Sequence, residues 1–204
     1  MKKTLVALTA LAVIAGTSQA ALFMTADGTG VGKFALTGAF GLPTTGMTEV
    51  DGKLSYGFTP DIDGYGRLAV QSAGGSSSTW IGAGAKGLFM KAAADLPVDL
   101  AWLGDLSYFN QSSVQTLALI GGLVASKKID AKWTPYGLLG ISYSSQSTSL
   151  PLGSTSISIS SGLVLCGGAS YAWTDKLNLK GELMFTAASG TSNTGLGVAL
   201  EYKL

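Results

Sequence analysis

The last ten residues, Gly195-Leu-Gly-Val-Ala-Leu-Glu-Tyr-Lys-Leu204, alternate strictly: Leu196, Val198, Leu200, Tyr202 and Leu204 fall on one side, Gly197, Ala199, Glu201 and Lys203 on the other. Extended strands point successive side chains to opposite faces, so this segment is a strand with one wholly apolar face. The same alternation recurs near 31–41, 49–59, 64–73, 79–91, 97–109, 114–127, 133–144, 156–171, 177–187 and 194–204, divided by short clusters of Gly, Ser, Asp, Asn and Pro. Ten such segments with no helical period between them predict an all-β fold.

Composition decides what the apolar faces meet. Only 12% of residues are charged and 29 are glycine, too little polar surface for an ordinary soluble domain. Beyond the N-terminal region the longest apolar run, Leu117 to Ala125, is broken by Gly121 and Gly122. A spanning helix needs roughly 20 apolar residues, so none is expected. Lipid demands that every backbone group be satisfied within the chain, which leaves a single closed antiparallel transmembrane β-barrel. Ten strands place both ends of the barrel sheet on one side of the membrane. Eight strands are the alternative if the weak first segment or the glycine-rich fourth is not a strand.

Lys2 and Lys3 precede an apolar stretch from Leu5 to Ala15 and the small-residue end Ser18-Gln19-Ala20, the pattern of a secretory signal peptide over residues 1–20. Residues 21–204 then form one barrel domain with no Pro-rich or charged linker. Removing Lys2 and Lys3 from the 13 basic residues leaves 11 against 12 acidic ones, so no nucleic-acid partner is expected. Cys166 is the sole cysteine and reads as a small buried strand residue without a disulfide.

The terminal strand resembles the C-terminal targeting strand of bacterial outer-membrane β-barrel proteins, with Tyr202 third from the end and Leu204 where members usually carry Phe or Trp. Trp173-Thr-Asp-Lys-Leu177 is similar to a turn that recurs in that porin-like family. The resemblance implies export through the signal peptide to the outer membrane of a Gram-negative-type bacterium. It also implies contact with outer-membrane lipid and with barrel-assembly machinery, for which Leu196, Val198, Leu200, Tyr202 and Leu204 would be the assembly signal. The turns after even-numbered strands would be periplasmic.

The phase of each strand then divides lipid from lumen. Phe34, Leu36, Leu54, Leu100, Trp102, Leu106 and Leu183 belong to apolar faces, and the opposite phase carries the charges. Lys33, Lys53, Arg67, Lys86, Lys180 and Lys203 are expected inside with Glu49, Asp51, Asp99, Asp105, Glu182 and Glu201, because a central basic residue facing lipid costs about 2–4 kcal/mol. Aromatics should gather at the two interfaces. Phe58, Tyr65, Trp133, Tyr171 and Trp173 fall at expected periplasmic strand ends, Trp80, Tyr108 and Tyr143 at outer ends, and Trp102 nearer the middle.

Chemistry is conspicuous by what the chain lacks. There is no histidine, which removes Ser-His-Asp triads and His-containing metal sites. Gly82-Ala-Gly84-Ala-Lys-Gly87 has dinucleotide-fingerprint spacing but lies within strand pattern with no following helix. Asp99 and Asp105 share a face about 20 Å apart, too far for a carboxylate dyad. Asp61 and Asp63 read as turn residues that bond the local backbone. No enzyme, cofactor or metal is expected. Three readings stand: a porin-like passive pore for small solutes or ions, its lumen thinly watered past small residues such as Gly82, Gly84 and Ala199; a closed barrel with a structural or surface-interaction role; and a secreted soluble β-sandwich adhesin. Neither solute nor surface partner is legible.

Overall fold

In the computed structural model, which describes residues 22–43, 46–74, 76–94, 96–111, 114–149, 155–188 and 191–204, the chain forms ten antiparallel strands in one closed barrel. They are β1 (Phe34–Pro43), β2 (Thr48–Gly57), β3 (Ile62–Ala73), β4 (Ser76–Met90), β5 (Asp99–Gln111), β6 (Val114–Ser126), β7 (Trp133–Ser149), β8 (Thr155–Ala172), β9 (Leu177–Ala188) and β10 (Thr191–Lys203). Each pairs with its sequence neighbours, and β10 closes the sheet on β1 through Leu36↔Tyr202, Gly38↔Leu200 and Phe40↔Val198. Closure rules out both the eight-strand count and the soluble sandwich. The signal peptide expected over residues 1–20 lies outside the described residues.

Alternation builds the barrel wall. Leu196, Val198, Leu200 and Tyr202 are 43–57% exposed while Ala199 between them is buried. The same exposed apolar phase runs around all ten strands, through Leu36, Leu54, Leu68, Ile81, Leu106, Leu119, Leu139, Leu165 and Leu183. So large a continuous apolar belt has no stable place in water and fits a bilayer. Trp102, the mid-strand aromatic, is part of this belt. It lies opposite Gly87 on β4 and covers it, where any larger side chain would collide with the indole.

Most strand ends shift by one to three residues from the sequence expectation, and those of β1 and of the β7–β8 hairpin have an evident cause. The first strand begins at Phe34 instead of 31, because Gly30 and Gly32 adopt left-handed φ values of 97° and 70° in a turn closed by the Lys33 N–H to Gly30 O at 3.0 Å. Conversely β7 and β8 extend into the expected connection 145–155 and remain paired to Ser149↔Thr155. Ser144 Oγ lies 2.7 Å from Ser160 Oγ at the base of that extension, and within it Ser158 Oγ donates to Gln146 Oε1 at 3.4 Å. At 17 and 18 residues the two strands exceed the about 9–11 that cross a bilayer, so their hairpin projects beyond it.

Hereafter the end of the barrel bearing Phe34 and Lys203 is called proximal, and the opposite end distal.

The occluded lumen as candidate functional site

A ten-stranded barrel encloses slightly more space than side chains of an eight-stranded one can fill. Here three groups of residues occupy it. In the distal part Trp80 stacks on Phe109, with centroids 4.9 Å apart and planes at 17°, packed with Ala69, Val114 and Ala118. The indole donates to Gln71 Oε1 at 3.1 Å, and Gln71 Nε2 donates to Glu49 at 2.5 Å.

The middle is organised by Arg67 of β3. Its guanidinium lies 2.6 Å from Asp51, 3.7 Å from Glu49 and 4.0 Å from Asp105. Asp105, 1% exposed, also accepts from the Tyr65 hydroxyl and from Ser107 Oγ, each at 2.8 Å. Carboxylates buried this deeply persist only when ion-paired and fully hydrogen-bonded, and Arg67 with its neighbours meets that condition. Gly84 opposite Tyr65 on β4 leaves the room that the phenol ring occupies.

The third group is the chain's own leading segment. Residues 22–29 run inside the barrel from mid-depth toward the proximal mouth, and Leu22, Phe23, Met24 and Ala26 are all buried. Leu22 and Met24 join a cluster with Ile120, Val124, Leu138, Val164 and Met184, while Phe23 packs on Ala199 and Ala39. A segment without strand partners must satisfy its backbone elsewhere, and the lumen charges do so. Glu182 accepts the Leu22 and Phe23 N–H groups at 2.7 and 2.8 Å. Lys53 and Lys180 donate to the carbonyls of Leu22 and Phe23 at 3.0 and 3.3 Å. Lys86 bonds the carbonyls of Thr25 and Asp27, Ser126 Oγ accepts the Ala26 N–H, and Asp63 accepts from Thr29. Phe23 holds a left-handed φ of 50°, a conformation a non-glycine residue keeps only where its surroundings fix it.

Below the segment a polar cavity of about 400 Å³ opens at the proximal mouth, lined by Asp27, Lys53, Asp63, Lys86, Lys128, Lys132, Lys180, Glu201 and Lys203 among others. Lys86 lies 3.6 Å from Asp63 and Lys180 2.6 Å from Glu201, which Asn178 also supports at 2.9 Å. Lys53 faces the Tyr65 ring at 5.6 Å from its centroid. Outside the bilayer, Asp130 accepts the N–H groups of Lys132 and Trp133, each at 2.7 Å, which hold its carboxyl below the usual aspartate range.

The twelve charges assigned to the lumen therefore divide. Glu49, Asp51, Lys53, Arg67, Lys86, Asp105, Lys180, Glu182 and Glu201 lie inside the wall. Lys33 is exposed in the turn before β1. Asp99, at the first residue of β5, is half-buried and accepts the Ala92 N–H at 2.8 Å, a loop-anchoring position at the barrel end. Lys203, at the end of β10, is exposed and reaches only the rim of the proximal cavity.

Two aromatics are corrected from interface to interior. Tyr65 and Trp80 are 8% and 5% exposed, because each lies in the inward phase of its strand and finds a buried acceptor, Asp105 or Gln71. Of the others placed at interfaces, Phe58, Tyr108, Trp133, Tyr143 and Trp173 are outward and exposed, and Tyr171 is half-buried against Trp133. Leu204, last of the terminal apolar series, is exposed beyond the end of β10 and donates its N–H to Phe34 O at 2.9 Å. Asp63, read as a turn residue, is the second of β3 and 4% exposed. The space expected to carry water beside Ala199 holds the Phe23 ring. Sequence reasoning missed residues 22–29 entirely. The available signal was the apolar triplet Leu22-Phe-Met24 before the Asp-Gly-Thr-Gly turn, too short to read as a strand.

No protein-family model and no curated protein matches the chain. Among solved structures it is similar to the N-terminal β-barrel domain of Pseudomonas aeruginosa OprF, at 11% identity and TM-score 0.42, over 86% of this chain and 99% of that one. It is also similar to Ail, the attachment invasion locus protein of Yersinia pestis, at 14% identity and TM-score 0.43, over 84% and 97% of the two chains. A third similar structure is the KdgM porin, at 12% identity and TM-score 0.43, over 82% and 98%.

Proposed function

We propose that this protein is an integral outer-membrane barrel whose resident state is closed, its lumen stoppered by its own leading segment. The observation that carries this reading is the threading of residues 22–29 through the barrel, with lumen carboxylates accepting N–H groups and lysines donating to carbonyls along its length. Passage of small solutes or ions, the porin-like activity, requires that segment to leave. On this reading the proximal end faces the periplasm and the β7–β8 hairpin faces outward.

A surface-contact role has one specific support. On the projecting hairpin Ile157 and Ile159 are 69% and 62% exposed opposite serines, beyond the level of Tyr143. The test of closure is single-channel recording. The exported protein should be electrically silent in a planar bilayer and a variant lacking residues 22–30 should conduct; steady conductance by the intact protein would overturn the reading.

A further inference from the structure

The outer wall carries a depression that its own side chains leave open. A row of outward residues starts at Trp133, the first of β7, and passes through Tyr171, Leu179 and Leu200 to Gly38, well inside β1. Strand stagger therefore carries the row from the proximal rim into the middle of the apolar belt. Ala169, Gly181, Val198 and Phe40 form the next row beside it. A groove of about 920 Å³ follows the two rows. Gly181 and Gly38 lie in its floor, and no other part of the chain comes within 4 Å of where a Cβ would stand on either. Trp133 and Tyr171, with ring centroids 4.8 Å apart, wall its rim end.

Positive charge gathers at that end. The proximal turns beside it, residues 127–132 and 173–176, carry Lys127, Lys128, Lys132 and Lys176 against Asp130 and Asp175. Asp130 is engaged by the main-chain N–H groups of Lys132 and Trp133. The Lys132 ammonium lies 5.9 Å from the Tyr171 ring centroid, and that of Lys176 lies 5.9 Å from the Tyr202 ring centroid. Among the described residues neither ammonium is within ion-pair distance of a carboxylate. An exposed ammonium is held only weakly over an aromatic ring, so both can turn to a phosphate.

We propose that this groove is a binding site for an anionic phospholipid: an acyl chain lies over Gly181 and Gly38, and the phosphate meets Lys132, with Lys176 adding charge from the neighbouring turn. The groove opens onto the belt that faces the bilayer, and its lysines stand at the aromatic level where headgroups lie. A second copy seated symmetrically on it would instead oppose lysine to lysine across a floor with nothing to fill it. The site rests on the wall facing lipid and is independent of whether the lumen is open. With the proximal end periplasmic, the leaflet concerned is the inner one.

The test places the exported protein in phosphatidylcholine vesicles with a minor fraction of brominated phosphatidylglycerol or brominated phosphatidylcholine. W102F/W173F leaves Trp133 as the outward reporter, and W133F/W173F leaves Trp102 on β5, outside the groove; the buried Trp80 stays in both. Brominated phosphatidylglycerol should quench Trp133 about fivefold more effectively than brominated phosphatidylcholine, the preference expected from one lysine near an anionic headgroup. The two lipids should quench Trp102 alike. K132Q with K176Q, both at exposed turn positions, should abolish the preference at Trp133. G181L fills the open floor while keeping both lysines, and should lower it as well. Equal quenching of Trp133 by the two lipids would overturn the proposal, as would a preference that survives the lysine substitutions. A preference untouched by G181L would belong to rim charge alone and overturn the groove. Trp133 shielded from both lipids while Trp102 is quenched would give the groove to a second copy. Trp102 quenched by neither would instead overturn the lipid-facing wall on which the site rests.

Discussion

The main-chain N–H of Leu22 donates to Glu182 Oε1 at 2.7 Å, joining the start of the described chain to β9 across 160 residues of sequence. Around that bond the barrel changes character. Along the segment Lys53, Lys86 and Lys180 donate to its carbonyls, and Leu22 and Met24 join the apolar cluster on the barrel axis.

Arg67 should be the least replaceable of the interior charges. Replacing it with Met leaves Glu49, Asp51 and Asp105 buried without their shared cation. Removal of one partner of a buried pair costs about 3–5 kcal/mol, so the urea midpoint of R67M should fall sharply, measured by the loss of heat-modifiable migration. A midpoint within error of wild type would show that the three carboxylates do not depend on it.

Trp80 and Trp102 should respond oppositely to lipid. Trp80 is 5% exposed inside the barrel and Trp102 is 41% exposed on the belt. In vesicles of brominated phospholipid, fluorescence of a variant retaining only Trp102 should be strongly quenched and that of one retaining only Trp80 nearly unaffected. Quenching of Trp80 would return it to the interface.

That pair also shows how far the sequence reaches. Period-two alternation located all ten strands and the inward phase of most charges, because face is fixed locally by the pleat. It could not separate an aromatic at a membrane interface from one inside, since Tyr65 and Trp80 stand second in the expected segments 64–73 and 79–91, positions an interface would favour. The difference lies in partners supplied by other strands, Asp105 for Tyr65 and Gln71 for Trp80. Residues 22–29 were illegible for a related reason: they have no secondary-structure period, and their partners, from Lys53 to Glu182, come from five different strands.

Leu200 tests the closing seam. It is 50% exposed on the apolar belt and pairs with Gly38 of β1 and Leu179 of β9. A lysine facing lipid costs up to about 2–4 kcal/mol, the full figure applying at the midplane, so Leu200→Lys should sharply reduce heat-modifiable folded protein in the outer-membrane fraction. Normal yield would place this face away from lipid.

Asp130 should titrate low. With its carboxyl held down by two main-chain N–H groups, its folded-state pKa is below its unfolded value. The stability it gives the turn between β6 and β7 is therefore present above the unfolded value and lost as pH falls through the folded one. Carboxyl NMR titration should find a midpoint below the ordinary aspartate value of about 3.9. D130A should speed amide exchange at Lys132 and Trp133 at neutral pH without altering the barrel.

The closure itself is tested most directly by conductance. Exported wild-type protein and a variant lacking residues 22–30 should be compared in the same planar bilayers, with heat-modifiability confirming that both are folded. The expected result is silence from the wild type and steady open channels from the deletion. Steady channels from the wild type, or a folded deletion variant as silent as its parent, would contradict closure by the leading segment.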